Sequence, residues 1–300
     1  MKKALLLLCL TALIFTFSCG KKSAPSQSSK PLVLVSISPY RYFVEKVGGD
    51  QIQVEAIVPQ GADAHSFEPA PKQLAQIRSS ALWFRIGEPF EKQVIDLANG
   101  LCLALGTVDL RDGIDLLDEP DHHCPHCGID HKDRHIWMSP KLAKQQANQI
   151  AEALSKRFPE SAPFFQANLA ALSQELDALD REILEILSPV QDRVILASHP
   201  SFGYFCRDYG FEQLSVEHEG KDPRPRQLEH LIEEARAKHA EVAFALPQYN
   251  NKGAQMVAQE LHLPVRLINP YSSDYPATLR TLAHMIADPY NKERHETSSR

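Results

Sequence analysis

One long helical stripe constrains this chain more than any other feature. Phe165, Leu169, Leu172, Leu176, Leu179, Ile183 and Leu187 recur at steps of three or four, the spacing of one face of a helix. Gln166, Gln174, Glu175, Asp177, Arg181 and Glu185 occupy the opposite face. Pro159 and Pro163 suit the first turn and Pro189 ends it, so the pattern predicts a helix over Pro159–Leu187. At about 1.5 Å per residue it is roughly 40 Å long, enough to cross a small domain. A strut of that length, with patterned sequence on both sides, predicts two lobes joined by one rigid element.

The flanks supply the lobes. Before the strut, strand patterns at Leu32–Ile37 (apolar and β-branched), Ile52–Val58 (alternating), Leu82–Ile86 and Leu101–Leu105 alternate with helix patterns opening at Pro39, Pro71 and Glu88. A further helix from Pro140 to near Phe158 leads into the strut. After it, strands are predicted at Val194–Ala197, Leu214–Glu217, Val242–Leu246 and Val265–Ile268. Helices are predicted at Phe202–Tyr209, Pro225–Lys238, Lys252–Leu261 and Pro276–Ile286. Alternating strands and helices imply parallel pairing with helices on both faces. The predicted fold is α/β: two Rossmann-like lobes with parallel sheets, over residues 31–158 and 189–290, joined by a connecting helix over 159–188. A polar, structureless tail is expected over 291–300. Pro71-Lys72-Gln73-Leu74 and Pro225-Arg226-Gln227-Leu228 open corresponding helices in the two halves, a faint internal echo.

The first 18 residues read as a secretory signal: Lys2 and Lys3, then an apolar run to Phe17, too short to span a membrane comfortably. Cys19 directly follows, which predicts lipidation, and residues 19–30 read as a polar tether. The expected location is the periplasm or cell envelope, at a membrane held through the lipid. The expected state is a monomer. The net charge of −6 and the lack of a basic stripe argue against a nucleic-acid partner. Cys102 and Cys206 sit singly in apolar surroundings and are expected to be buried free thiols.

Thirteen histidines are many for 300 residues. His65 and His199 each follow a predicted strand closely, where parallel α/β sheets bind ligands. His135 stands just before a helix, after a strand and a long loop. Convergence of the three predicts a metal site between the lobes, and neutral imidazoles favour Zn2+ or Cu2+ over Mn2+. Asn269, at the end of a strand in the far lobe, is the candidate fourth ligand, with water as the alternative. Glu68, three residues past His65, is the candidate partner behind the ligands.

At these residues the chain resembles the zinc- and manganese-binding solute-binding lipoproteins of ABC importers, the ZnuA/TroA type. The resemblance runs from about Leu32 to Asp288. It is carried by Gly61-Ala-Asp-Ala-His65-Ser-Phe-Glu68-Pro, Arg134-His135-Ile-Trp-Met-Ser-Pro140 and Ser198-His199-Pro-Ser-Phe-Gly203-Tyr-Phe. It implies a metal site at His65, His135 and His199, an ABC-type permease as partner, and Zn2+ as cargo, with Mn2+ or Fe2+ as the alternative. Many members have an aspartate where Asn269 stands, which leaves the fourth ligand open. The loop Asp121-His122-His123-Cys124-Pro125-His126-Cys127-Gly128-Ile129-Asp130-His131 lies where zinc-type members carry a histidine- and acid-rich loop. Its Cys124-x-x-Cys127 pair has three readings: a second zinc site with His122, His123, His126 or His131, a disulfide, or a redox pair. A zinc hydrolase is the competing function, three histidines and one open position being also a catalytic arrangement, but the chain has no HExxH helix.

Overall fold

Each flank of the stripe folds around a sheet of four parallel strands. The structure, a computed structural model, describes residues 30–118, 132–217 and 223–297. The first lobe runs β1 (Leu32–Val35), α1 (Pro39–Gly48), β2 (Gln53–Ala56), α2 (Pro71–Ser79), β3 (Leu82–Arg85), α3 (Pro89–Gly100) and β4 (Thr107–Asp109). Helices α4 (Pro140–Arg157) and α5 (Ala162–Leu187) follow, with a short 3-10 turn at Pro159–Ser161 between them. The second lobe runs β5 (Val194–Ala197), α6 (Gly203–Tyr209), β6 (Glu212–Ser215), α7 (Pro225–Ala237), β7 (Ala243–Ala245), α8 (Lys252–Leu261), β8 (Val265–Leu267) and α9 (Tyr275–Thr297).

The two sheets have the same plan, β2-β1-β3-β4 and β6-β5-β7-β8. Val33 aligns with Val54 on one side and Leu82 on the other, and Leu196 aligns with Leu214 and Ala243. The echo between α2 and α7 has a local cause. Gln73 and Gln227, each in the first turn, accept the backbone N–H of Ala70 and Arg224 at 2.8 Å, the reciprocal half of a capping box.

Helix α5 buries Phe165, Leu172, Leu176, Leu179, Ile183 and Leu187, the stripe read from the sequence, with Leu169 half-buried. It packs on α1 and α4 of the first lobe and α9 of the second, so one continuous core runs through both lobes. The lobes also touch directly. Trp137 Nε1 donates to the Pro270 carbonyl at 2.9 Å and Tyr204 Oη to the Asp133 carbonyl at 2.7 Å. Ser139 Oγ, which caps α4, also donates to the Asp208 carboxylate. These contacts and the strut together oppose a wide swing of one lobe against the other.

Three sequence expectations are corrected. Leu101–Leu105 is not a strand. Cys102 takes a left-handed φ of 54°, and the N–H groups of Cys102 and Leu103 close onto the Asn99 and Ala98 carbonyls at 3.0 and 2.9 Å. That is a helix-ending Schellman closure, and it keeps the segment out of the sheet; β4 begins only at Thr107. Cys102 is therefore exposed, although Cys206 is buried as expected. The closing helix does not stop at Ile286 before a structureless tail from Asn291; α9 continues to Thr297. The signal, Cys19 and the loop carrying His122, His123, Cys124, His126, Cys127 and His131 lie outside the described residues.

Candidate metal centre

The carboxyl ends of the strands supply every side chain of the site, as expected for a parallel sheet. His65 follows β2, His135 lies between β4 and α4, and His199 stands two residues past β5. The first two loops share a local device. Asp63 and Asp133 each accept, through Oδ1, the backbone N–H of the histidine two residues on, at 2.9 and 2.8 Å. These Asx turns present His65 and His135 inward. Gly61, at φ +85°, begins the turn that leads to His65.

The three rings meet. Their centroids are 5.6 Å apart for His65–His135, 5.2 Å for His65–His199 and 5.3 Å for His135–His199. One ring nitrogen from each lies within 4.8 Å of the other two. A tetrahedral ion with nitrogens at about 2.0–2.1 Å sets them about 3.3 Å apart, so the set needs to close by no more than about 1.5 Å.

Each ring is held from behind by an acid. His65 Nδ1 lies 3.0 Å from Glu88, His135 Nδ1 2.7 Å from Asp133 and His199 Nδ1 2.8 Å from Glu217. An ionised carboxylate only accepts, so each Nδ1 carries a proton, and Nε2 of the neutral ring is the atom that can bind an ion. His199 Nε2 is buried with no hydrogen-bond partner. A buried imidazole nitrogen left in that way is costly unless a cation takes its lone pair. The chemistry of the donor set fits zinc: three neutral nitrogens in front, and three carboxylates behind to offset the charge of the ion.

The histidines are not alike. Burial alone would lower His65, but the charge of Glu88 and its hydrogen bond outweigh burial and carry the ring up to about 9. Burial also dominates at His199, opposed by the Glu217 hydrogen bond and reinforced by the charges of His135 and His65, and this ring is lowered to about 4. At neutral pH the metal-free site therefore holds a protonated His65 and a neutral His199.

Two sequence assignments fail. Glu68 is exposed and takes no part in holding His65; Glu88, from the turn between β3 and α3, does so instead. Asn269 has no free oxygen to offer. Its Oδ1 already accepts from Gln248 Nε2 at 2.8 Å and from the Tyr271 backbone N–H at 3.0 Å. The sequence reading also missed Glu88, Asp133, Glu217, Tyr249 and Tyr271. The Asp-x-His spacing, present at both 63–65 and 133–135, was a usable signal. Glu217 stands two residues past β6 as His199 stands two past β5. Tyr249 stacks on His199 at 3.9 Å, and Tyr271 places its hydroxyl 3.2 Å from His135 Nε2; neither had a pattern to announce it.

Comparison with known proteins agrees with this fold. Residues 33–288 match the family described as ZnuA, zinc-uptake complex component A, periplasmic. The "Putative metal-binding protein" of Chlamydia muridarum is 33% identical over 93% of this chain and 99% of its own. The zinc-binding lipoprotein AdcA of Streptococcus pneumoniae is 26% identical over 91% of this chain, which spans 56% of AdcA. A crystal structure of ZnuA superposes with a TM-score of 0.79 at 34% identity, covering 87% of this chain and 99% of that one. With its two like lobes, its long connecting helix and its match over nearly the whole described length, the chain belongs to the ZnuA family.

Proposed function

We propose that this protein captures a zinc ion between its lobes, on the Nε2 atoms of His65, His135 and His199, and delivers it to an ABC-type importer. The observation that carries this reading is the set of three imidazoles, each backed by its own carboxylate and converging within 4.8 Å. Neutral nitrogen donors favour zinc over manganese or iron. The role is capture and release of a solute. Glu88, Asp133 and Glu217 each engage a ring Nδ1, which supports an orienting role for them over that of the general base of a zinc hydrolase. Cys19 anchors the exported, monomeric chain at the membrane, and the segment 121–131 gathers zinc ahead of the cleft. Because the lobes are pinned at Trp137–Pro270 and Tyr204–Asp133, release proceeds through small shifts of the ring-bearing loops.

Metal analysis of protein purified without chelator tests the reading. Zinc is expected, and His199→Ala should lower its content by one equivalent per chain. Unchanged zinc in that variant, or a different metal in the native protein, would overturn it.

A further inference from the structure

The fourth contact to the ion is open once Asn269 is excluded, and Tyr271 from the second lobe stands beside it. Its Oη lies 3.2 Å from His135 Nε2. Two donors on one tetrahedral zinc are separated by about 3.3 Å, so this pair already has the spacing of two corners of a coordination shell. We infer that Tyr271 Oη is the fourth donor to the captured ion, the second lobe's contribution beside His199. This inference rests on the zinc reading given above.

Tyr271 is fixed as a ligand needs to be. The residue is 5% exposed. Asn269 Oδ1 takes its backbone N–H, and Trp137 Nε1 takes the carbonyl of the preceding residue, Pro270. The Trp137 ring packs at 5.3 Å from it. Asn269, read from the sequence as a ligand, thus serves as the brace of one. The tyrosine proton also has a destination. Tyr249 Oη lies 3.0 Å from Tyr271 Oη, and Tyr249 is itself held by stacking on His199 at 3.9 Å, 11° from parallel. Tyr271 can donate to Tyr249 while turning an oxygen lone pair to the ion, with no change in protonation. A neutral fourth donor matches the charge pattern, because the compensating acids stand behind the rings.

The geometry also orders the metal-free and loaded states. Without an ion, the Tyr271 hydroxyl is within hydrogen-bond distance of His135 Nε2, and Asp133 engages Nδ1 of the same ring. Arrival of the ion replaces that hydrogen bond with two bonds to one cation, and the second lobe is drawn onto it through Tyr271.

Crystals of the full protein grown with zinc alone, together with Tyr271→Phe, test the assignment. The expected structure places Oη about 2.0–2.2 Å from the zinc, the ordinary range for an oxygen ligand. Tyr271→Phe, which keeps the ring packing, should lose zinc affinity by about tenfold or more and alter the visible spectrum of the Co2+-loaded protein. A water or carboxylate in the fourth position with Oη outside coordination distance would overturn the inference. So would Tyr271→Phe with native affinity and native Co2+ spectrum. Either result with zinc still on the three histidines leaves the proposed function standing; zinc absent from them removes both. If Tyr271→Phe fails to fold, the zinc-bound wild-type structure decides alone.

Discussion

Replacing Glu88 by Gln gives the sharpest test of how the site is tuned. In the metal-free protein His65 is carried up to about 9 by Glu88 against the effect of burial. Zinc needs the neutral ring, so binding at pH 7.5 must expel the His65 proton. A value of about 9 leaves about one ring in 30 neutral at pH 7.5, so apparent affinity stands about 30-fold below its high-pH limit. The expected signature is about one proton released by His65 per zinc at neutral pH. Affinity should rise about tenfold per pH unit from 7 to 8 and level off above 9. His199, at about 4, adds nothing in that window. Glu88→Gln removes the main influence that raises His65 and leaves burial opposed by the Asp63 charge alone, so the ring titrates lower and has lost most of its proton by pH 7.5. The variant should release close to no proton from this ring and show a flat pH dependence between 7 and 8. Its affinity at high pH should drop about 10- to 100-fold, because an oriented partner behind the ring is lost. Titration calorimetry in two buffers of different ionisation enthalpy counts the protons. Equal proton release by native and variant proteins would refute the reasoning, whatever the affinities.

Other consequences follow from the same structure. Glu217→Gln, which weakens the support of His199, should cost about 10- to 100-fold in zinc affinity at pH 8 with the melting temperature of the metal-free protein little changed. Leu176→Ala, at the middle of the buried face of α5, should destabilise by about 2–5 kcal/mol in urea unfolding; an effect below about 1 kcal/mol would mean that the strut does not organise the core. Cys102→Gly should stabilise by about 0.5–1 kcal/mol, since it relieves a left-handed residue at the end of α3 and loses only an exposed side chain. Loss of stability there would contradict the helix-end reading.

How much of this was legible in the sequence differs by element. The α5 stripe was plain because a buried helix face repeats over many turns, and its residues are those the structure buries. The sheets were legible because short apolar runs between helices have few other uses in an alternating chain. Leu101–Leu105 shows the limit: five residues with four apolar cannot say whether they enter a sheet or cap a helix, and the left-handed Cys102 decides it. At the site, His65, His135 and His199 were legible through their place after strands. Their partners were not, because Glu88 and Glu217 reach the rings only through the packing of one strand end against the next. Asn269 stands near the rings, but its Oδ1 accepts from Gln248 and the Tyr271 backbone, which no sequence pattern announces. Its neighbour two residues on, Tyr271, faces the ring, and only the turn geometry distinguishes them.

The central claim is that three imidazoles from distant parts of the chain share one ion. X-ray absorption at the zinc edge, on protein lacking residues 121–131 and loaded with one equivalent of zinc, measures this without interference from the loop. The account predicts three imidazole nitrogens at about 2.0–2.1 Å and no sulfur. Fewer than three imidazoles per zinc, or a protein that no longer holds the ion, would contradict it.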